Sequence, residues 1–331
     1  MLKTLRTIAA GLLLWVGTTF AASAADVTLK FAGTLPTEHF GHKILEAMAK
    51  EIEAAGVGIT VKYFPAGQLG SGEELFEDAK LGNVDMVHAT VYAQADQRLE
   101  IASLPFLVTT IDELRATYGD PNSKYNTIIR EILADHGIQY LANIGEGLIG
   151  VVASQKPSNP GGFDDQGMNI RVWSSEVTKA TMEKLGYRTT TMSWAEVFPA
   201  VQAGTIDGAI CCTAEWAYTT FAVSDVGNTF VPYNAFVEST QIYMSQSTFA
   251  GLTDEQKAVV QAASAKASNA IIDQAWDRTE GFMAQLKDKG WEIVELSQAE
   301  RDAIKSKVVA EVWPTVGELV GQDLIDRLGA K

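Results

Sequence analysis

The stretch MNIRVWSSEVTKATMEKLGYRTTTMSWAEVFPAVQAGTIDGAICC, residues 168–212, decides the fold. Strand patterns at residues 169–173, 189–192 and 206–212 alternate with amphipathic helical patterns, the first of which covers residues 175–185. A strand–helix–strand order of this kind predicts a parallel sheet with right-handed crossovers. The stretch therefore predicts one α/β unit.

Residues 27–89 follow the same order with a different sequence. Alternating apolar and polar residues give strand patterns at residues 27–31 and 59–63, and a third strand pattern lies at residues 84–89. Thr37 is predicted to cap the first of the two intervening helices. The chain thus predicts a second α/β unit, which precedes the first in sequence.

Four capping boxes predict further helix starts, because a Ser or Thr and a Glu or Gln three residues later satisfy each other's backbone N–H groups. The box at Thr253 opens a helical pattern that continues to about Lys289. A helix of that length measures roughly 50 Å, so we expect it to span both units. The four pairs are Ser71/Glu74, Ser193/Glu196, Thr253/Gln256 and Ser297/Glu300.

The first 24 residues predict a signal peptide. Lys3 and Arg6 precede a short apolar run at residues 8–20, and Ala22-Ser23-Ala24 supplies the small residues of a cleavage site. The apolar run is too short for a transmembrane anchor. We therefore expect export to the periplasm, without stable insertion into the membrane.

The chain has a formal net charge of −15. Such an acidic surface argues against nucleic acid and against anionic membranes as partners. It leaves room for an anionic ligand, because one buried arginine can dominate its own pocket.

Signatures of catalysis are largely absent from the sequence. It contains no G-x-S-x-G elbow, no P-loop and no G-x-G-x-x-G. His39 and His42 lie near a predicted helix start, and we interpret them as capping or solvated residues rather than metal ligands. We predict no catalytic residue, no metal and no cofactor.

Cys211 and Cys212 are the only cysteines, and they are adjacent. Neighbouring Cα atoms lie about 3.8 Å apart, below the usual range for a disulfide. This spacing favours two small buried residues, although a strained disulfide stays open. A nucleophilic Cys211 paired with a histidine is the alternative that would make the protein a secreted enzyme.

Arg171 ends a strand pattern just before a helix, which places a bidentate cation at the mouth of a strand. Trp173 lies on the same strand face, and Trp194 follows the strand pattern at residues 189–192. Ligands of α/β sheets bind outside such strand ends. These residues predict a site for a carboxylate with a flat or apolar body; the alternatives are a structural ion pair for Arg171 and core packing for the tryptophans.

Several blocks of the sequence resemble the solute-binding proteins of tripartite ATP-independent periplasmic (TRAP) transporters, the DctP-type family. The resemblance covers essentially the whole chain after the predicted signal peptide. The blocks, in order, are PAGQLGS at residues 65–71, LGNVDM at residues 81–86, LPFL at residues 104–107, GMNIRV at residues 167–172, and residues 196–208.

The resemblance implies two α/β lobes that close over a small organic acid and deliver it to membrane permease subunits. It implies lobe I at residues 25–146, lobe II at residues 147–236, and shared elements, including a crossover strand and the long helix, at residues 237–331. It also implies that Arg171 and the aromatic Trp194 bind the ligand from lobe II. Thr34 and Thr90 would complete the site from lobe I.

Two positions depart from the family pattern. Cys211 stands where many members have an asparagine that helps to bind the carboxylate, and residues 147–150 lack the second arginine that many members carry. Together with Trp216, these departures favour a monocarboxylate whose remainder is apolar, aromatic or cationic. For a cationic remainder, Glu146 or Glu215 is the predicted counter-charge.

The sequence thus predicts a non-catalytic periplasmic binding protein of a TRAP transporter. The alternatives are a secreted enzyme that uses Cys211 and a sensor that presents its ligand to a receptor.

Overall fold

The computed structural model describes residues 26–329, and the predicted signal peptide lies outside the described residues. The described strands form two separate sheets, one of five strands and one of six. The strands are β1 (Val27–Gly33), β2 (Ile59–Phe64), β3 (Met86–Ala89), β4 (Ile138–Leu148), β5 (Gly150–Ala153), β6 (Asn169–Val172), β7 (Arg188–Thr191), β8 (Gly208–Cys212), β9 (Thr229–Val231), β10 (Val237–Ser245) and β11 (Glu292–Ile293).

Helices cover both sheets. Short 3₁₀ or π-helical turns lie at Gln97–Ser103, Arg115–Gly119, Ala217–Phe221 and Ala222–Ser224. The α-helices are α1 (Phe40–Ala54), α2 (Gly72–Leu81), α3 (Ile111–Leu114), α4 (Lys124–Asp135), α5 (Glu176–Lys184), α6 (Trp194–Gln202), α7 (Ala214–Trp216), α8 (Gln246–Gly251), α9 (Asp254–Ile272), α10 (Ala275–Asp288), α11 (Gln298–Val320) and α12 (Gln322–Leu328).

The predicted parallel pairings are present in both sheets. The first sheet has the order β2-β1-β3-β10-β4, in which β1 pairs in parallel with β2 and β3. The second has the order β11-β9-β5-β8-β6-β7, in which β6 pairs in parallel with β7 and β8. We call the units built on these sheets lobe I and lobe II, so the two-lobed α/β fold predicted from the sequence is confirmed.

Two of the points at which the chain crosses between the lobes are adjacent in space. β4 of lobe I ends at Leu148, and β5 of lobe II begins at Gly150. After β9 the chain returns to lobe I as β10, which pairs with β4 in antiparallel fashion. The crossings are joined where the Ile149 N–H donates to the Phe236 carbonyl (3.0 Å) and the Asn234 N–H donates to the Ile149 carbonyl (3.2 Å). Paired crossings of this kind are suited to act as a hinge.

The long helix predicted from Thr253 is interrupted. α9 packs against β4 and α1 of lobe I, whereas α10 packs against α7 and β11 of lobe II. Asp273 and Gln274 form a turn between them. The two helices together span both lobes, but the expectation of one continuous helix was wrong. The break lies where the packing partner changes from one lobe to the other.

The helix starts agree closely with the predicted caps. All four capping boxes are present, at α2, α6, α9 and α11. The prediction for Thr37 was wrong, because α1 begins at Phe40 and His39 is its N-cap. The His39 ring nitrogen Nδ1 accepts a hydrogen bond from the Gly41 N–H at 3.2 Å. The interpretation of His39 as a capping residue is thereby confirmed.

Two glycines provide a test of the backbone geometry. Gly186, after α5, has a φ of +85°, and a Cβ there would lie 1.9 Å from the Asp164 carbonyl oxygen. Gly56, after α1, has a φ of +69° and no atom within 4 Å of the Cβ position. We expect Gly56→Ala to cost about 1 kcal/mol through its backbone conformation alone. Gly186→Ala should cost about 3 kcal/mol or more, because the carbonyl must also move.

Urea unfolding of the two variants measures this difference. Equal losses of unfolding free energy would contradict the close approach at Gly186.

Candidate functional site

A cavity of about 550 Å³ lies between the lobes. Its walls come from the ends of β1 and β3 in lobe I and from the ends of β6, β7 and β8 in lobe II. The structure brings together seven of the residues predicted from the sequence to contact the ligand. The seven that line the cavity are Thr34, Thr90, Arg171, Trp173, Trp194, Cys211 and Trp216.

Arg171 is a buried cation without a carboxylate partner. It lies on β6 with 3% of its surface exposed, and its Nε donates to the Met192 carbonyl at 3.0 Å. Its guanidinium carbon lies 5.9 Å from the centre of the Trp194 ring. Within residues 26–329, Arg171 forms no ion pair, so the structural ion pair considered from the sequence is not present. Its terminal N–H groups are therefore available to a carboxylate.

The pKa of Arg171 reflects both its burial and the acidic groups around it. Burial lowers the pKa of Arg171, because the charged form loses its hydration, while the Tyr92 hydroxyl and the carboxylates of Glu238 and Glu73 raise it. A ligand carboxylate on the guanidinium would replace the lost hydration.

A buried carboxylate fixes the turn that follows Arg171. Glu100 accepts hydrogen bonds from the Ser175 hydroxyl (2.5 Å) and the Glu176 N–H (2.7 Å) at the start of α5. Just before this helix, the Trp173 indole N–H donates to the Ser103 hydroxyl at 3.1 Å. The Gln97–Ser103 segment thus holds both the helix start and the indole in place. These contacts fix the connection between β6, which carries Arg171, and α5.

Trp194 and Trp216 form one aromatic wall of the cavity. The capping box of α6 places Trp194 at the first helical position, since Glu196 accepts from the backbone and the side chain of Ser193. The two indoles meet edge to face, with ring centres 5.5 Å apart. The Trp216 indole N–H donates to a Glu146 carboxylate oxygen at 2.9 Å. This N–H is therefore not free to bind a ligand in the cavity.

Glu146 and Glu215 are not the counter-charges that the sequence suggested. Neither residue lines the cavity. Glu146 lies behind Trp216, and Glu215 forms an ion pair with Arg278. The His39 ring lies 3.4 Å from the Glu146 carboxyl group. This ring is neutral, because burial lowers the pKa of His39 to about 3. These groups form a buried polar layer beneath the site, so their prediction as ligand contacts was wrong.

Lobe I faces Arg171 with two threonines. Thr34 follows β1, and its N–H donates to the His88 carbonyl at 3.2 Å. Thr90 follows β3, and its hydroxyl donates to the Ser239 carbonyl at 3.4 Å. Both are half-buried and line the cavity. Both threonines thus line the same cavity as Arg171, from the other lobe.

The structure adds lining residues that sequence reasoning missed, above all Tyr92, Glu73 and Glu238. Glu238 is the only charged residue of β10, VESTQIYMS, and it lies opposite Gly147 of β4. The sequence signal that could have identified Glu238 was a single acidic residue in a strand predicted to cross between the lobes.

The structure joins Cys211 and Cys212 in a disulfide, and the described residues contain no free cysteine. The preference for two separate thiols was therefore wrong. Cys211 lines the cavity with 6% of its surface exposed, whereas Cys212 is fully buried. A disulfide sulfur carries no thiolate, so the residue needed by the enzyme alternative is not present as a nucleophile.

Other common chemistries lack a site in the described part of the chain. Within residues 26–329, no group of three or more His, Cys, Asp or Glu side chains is arranged to hold a metal ion. No helix in the same range combines the length and apolarity needed to cross a bilayer.

Comparison with known proteins places the chain in a family. The model of "Bacterial extracellular solute-binding protein, family 7" matches residues 31–317, so the chain belongs to that family. The uncharacterized protein YiiZ of Salmonella typhimurium is 30% identical over 255 residues, covering 74% of this chain and 75% of that protein. The ectoine-binding periplasmic protein TeaA of Halomonas elongata is 24% identical, covering 82% of this chain and 80% of TeaA.

Solved structures agree with the fold. The crystal structure of a TRAP periplasmic solute-binding protein from Sulfitobacter sp. NAS-14.1, with bound β-D-galacturonate, matches with a TM-score of 0.80 and 23% identity. The match covers 92% of this chain and 98% of that chain. The protein is accordingly a TRAP-type solute-binding protein and not an enzyme.

The disulfide can be tested by alkylation of the unfolded protein. We expect iodoacetamide to add nothing to the exported protein in denaturant without a reductant, because both sulfurs are bonded to each other. After reduction, two adducts should form. Intact-mass spectrometry measures the count, and two adducts before reduction would show that the cysteines are thiols.

The buried polar layer predicts a pH dependence of stability. Burial, aided by the charge of Glu215, raises the pKa of Glu146 from 4.5 to about 7. The folded state therefore retains this proton where the unfolded chain releases it. The stabilisation is complete below pH 4.5 and is lost as the pH rises to about 7.

Glu146→Gln should remove this dependence. From about pH 5 to about pH 8, the parent should lose up to about 3 kcal/mol of unfolding free energy relative to the variant. Urea unfolding at both pH values gives the comparison. Parallel pH profiles for the parent and the variant would contradict the assignment.

Proposed function

We propose that the protein captures a small organic monocarboxylate through Arg171 and delivers it to the membrane permease of a TRAP transporter. The observation that carries this proposal is the Arg171 guanidinium, which is 3% exposed and lines the interlobe cavity without an ion-pair partner in the described chain. A buried cation of this kind is costly unless an anion joins it. A carboxylate fits because its two oxygens match the guanidinium fork.

The preference for one carboxylate rests on the charges of the cavity. Among the residues that the structure describes, Arg171 is the only Lys or Arg that lines the cavity. Three acids, Glu73, Glu74 and Glu238, line it as well. A second ligand carboxylate would meet acids instead of another cation. The relatives differ on this point: β-D-galacturonate and ectoine, named with the Sulfitobacter and Halomonas proteins, each carry one carboxylate, whereas a Rhodobacter capsulatus relative is named for C4-dicarboxylates.

Capture would proceed by closure of the lobes. Arg171, Trp173, Trp194 and Trp216 form the lobe II half of the site, and Thr34 and Thr90 approach from lobe I. The paired crossings at β4 and β10 supply the hinge. In this proposal residues 25–146 and 147–236 are the moving lobes, and residues 237–331 connect them. Closure would bury the ligand and create the surface that the permease recognises.

The setting follows from the same reasoning. Family membership supports a periplasmic location, and the predicted signal peptide would supply the export step. Delivery to a permease is favoured over presentation to a receptor because relatives over most of the chain are TRAP solute-binding proteins.

Charge removal at Arg171 tests the proposal. Arg171→Gln should weaken the tightest-binding monocarboxylate at least 100-fold, because a buried carboxylate would then lack its partner, at a cost of about 3 kcal/mol. Arg188→Gln on the neighbouring β7 is the matched control, since Arg188 is exposed and lies outside the cavity. It should bind within about twofold of the parent.

The measurement is isothermal titration with β-D-galacturonate, ectoine, pantoate, orotate and L-malate. Near-parent affinity in Arg171→Gln would overturn the assignment of Arg171. Tight binding of L-malate alone would overturn the monocarboxylate preference.

A further inference from the structure

Glu238 places an unpartnered carboxylate in the same cavity as Arg171. It is the second residue of β10, is half-buried, and lies opposite Gly147 of β4. In the described chain its side chain forms no hydrogen bond and no ion pair. The cavity is therefore lined by a guanidinium and by a carboxyl group, that of Glu238, that are not paired with each other in the described chain.

The cavity as a whole carries excess negative charge. Three carboxylates line it, those of Glu73, Glu74 and Glu238, against the single guanidinium. Glu74 is engaged in the α2 capping box, where it accepts from the Ser71 N–H at 2.8 Å. A carboxylate ligand without a positive charge would increase the excess in a space shielded from water. A ligand with one positive and one negative charge would leave it unchanged.

The environment of Glu238 supports the same conclusion. Burial raises the pKa of Glu238 well above its ordinary value, and the charge of Glu146 raises it further, while the charge of Arg171 lowers it. The ionised carboxylate thus lacks a sufficient counter-charge before a ligand arrives. A cationic group beside it would favour the ionised form. The other nearby cation, Arg278, is already paired with Glu215 and does not line the cavity.

We propose that the solute is a zwitterion, whose carboxylate binds Arg171 and whose cationic nitrogen binds Glu238. This inference rests on the proposed function and names its substrate class. The body of the ligand would lie against the rings of Trp173, Trp194 and Trp216. Two of these indoles commit their N–H groups elsewhere, Trp173 to Ser103 and Trp216 to Glu146, so they offer ring surface to the ligand. Ring faces attract a cation in addition to Glu238.

Isosteric ligand pairs test the inference on the unmodified protein. Each pair keeps the carboxylate and the heavy-atom frame and replaces the cationic nitrogen by carbon. The pairs are L-proline with cyclopentanecarboxylate, glycine betaine with 3,3-dimethylbutanoate, and N-methylnicotinate with 3-methylbenzoate. We expect the zwitterion to bind at least about tenfold more tightly in one or more pairs, as measured by isothermal titration.

The variant Glu238→Gln then tests whether Glu238 causes the preference for the zwitterion over its carbon isostere. The variant should reduce the preference in the discriminating pair to within about threefold, by weakening the zwitterion and leaving its carbon isostere unchanged or tighter. Glu280→Gln is the matched control, because it removes the same charge from an exposed position of α10 outside the cavity. It should preserve the preference. Melting temperatures of both variants show whether the fold is retained.

The outcomes separate this inference from the proposed function. Equal or tighter binding of the carbon isostere in every pair overturns the zwitterion. A preference that survives in Glu238→Gln overturns the role of Glu238. Binding of β-D-galacturonate or L-malate with none of the three zwitterions also overturns the inference, while capture by Arg171 stands. Failure of every carboxylate to bind overturns both.

Discussion

The buried guanidinium of Arg171 is the constraint on which the site depends. A charge that is 97% removed from solvent must regain its lost hydration from hydrogen bonds or from an opposite charge. Within the described residues, Arg171 has the Met192 carbonyl and the nearby Tyr92 hydroxyl as polar neighbours, and no carboxylate forms an ion pair with it. The parallel strands of lobe II bring this cation to the cleft, and the Glu100 cap of α5 holds the turn beside it. The fold thus keeps a buried cation without an ion-pair partner in the cavity between the lobes.

A second buried layer links the site to the hinge. Glu146 comes from β4, Trp216 and Glu215 from α7, Arg278 from α10 and His39 from the start of α1. Both lobes and the helices between them therefore contribute to one polar cluster under the aromatic wall. The cluster orients Trp216 and keeps its own carboxylates out of the cavity. Glu238 has no such partner among residues 26–329, and this difference is the basis for proposing it as a ligand contact.

Local sequence signals predicted much of the fold. Each capping box depends on residues three positions apart, and strand patterns depend on alternation within a few residues, so both were read correctly. The break after Ile272 was not predictable in this way, because residues 271–275 contain neither glycine nor proline. It arises where α9 packs on lobe I and α10 on lobe II, which is a tertiary effect. The Cys211–Cys212 bond was missed because the usual Cα separation of disulfides argued against it.

The site was predicted unevenly for a related reason. Arg171, Trp173 and Trp194 were predicted because strand ends and same-face spacing are visible in the sequence. The family resemblance, with the departures from it, indicated Thr34, Thr90 and Trp216. Glu146 and Glu215 were named as counter-charges and Glu238 was missed, because only the folded chain shows which acids are already paired. Pairing depends on contacts between residues far apart in sequence, such as Glu215 with Arg278.

A crystal structure of the protein with its tightest-binding solute would test the central claim most directly. The account predicts the ligand carboxylate on the terminal nitrogens of Arg171, with both N···O distances near 2.8 Å. A carboxylate bound elsewhere in the cleft, or an Arg171 paired with a protein carboxylate in the complex, would contradict it.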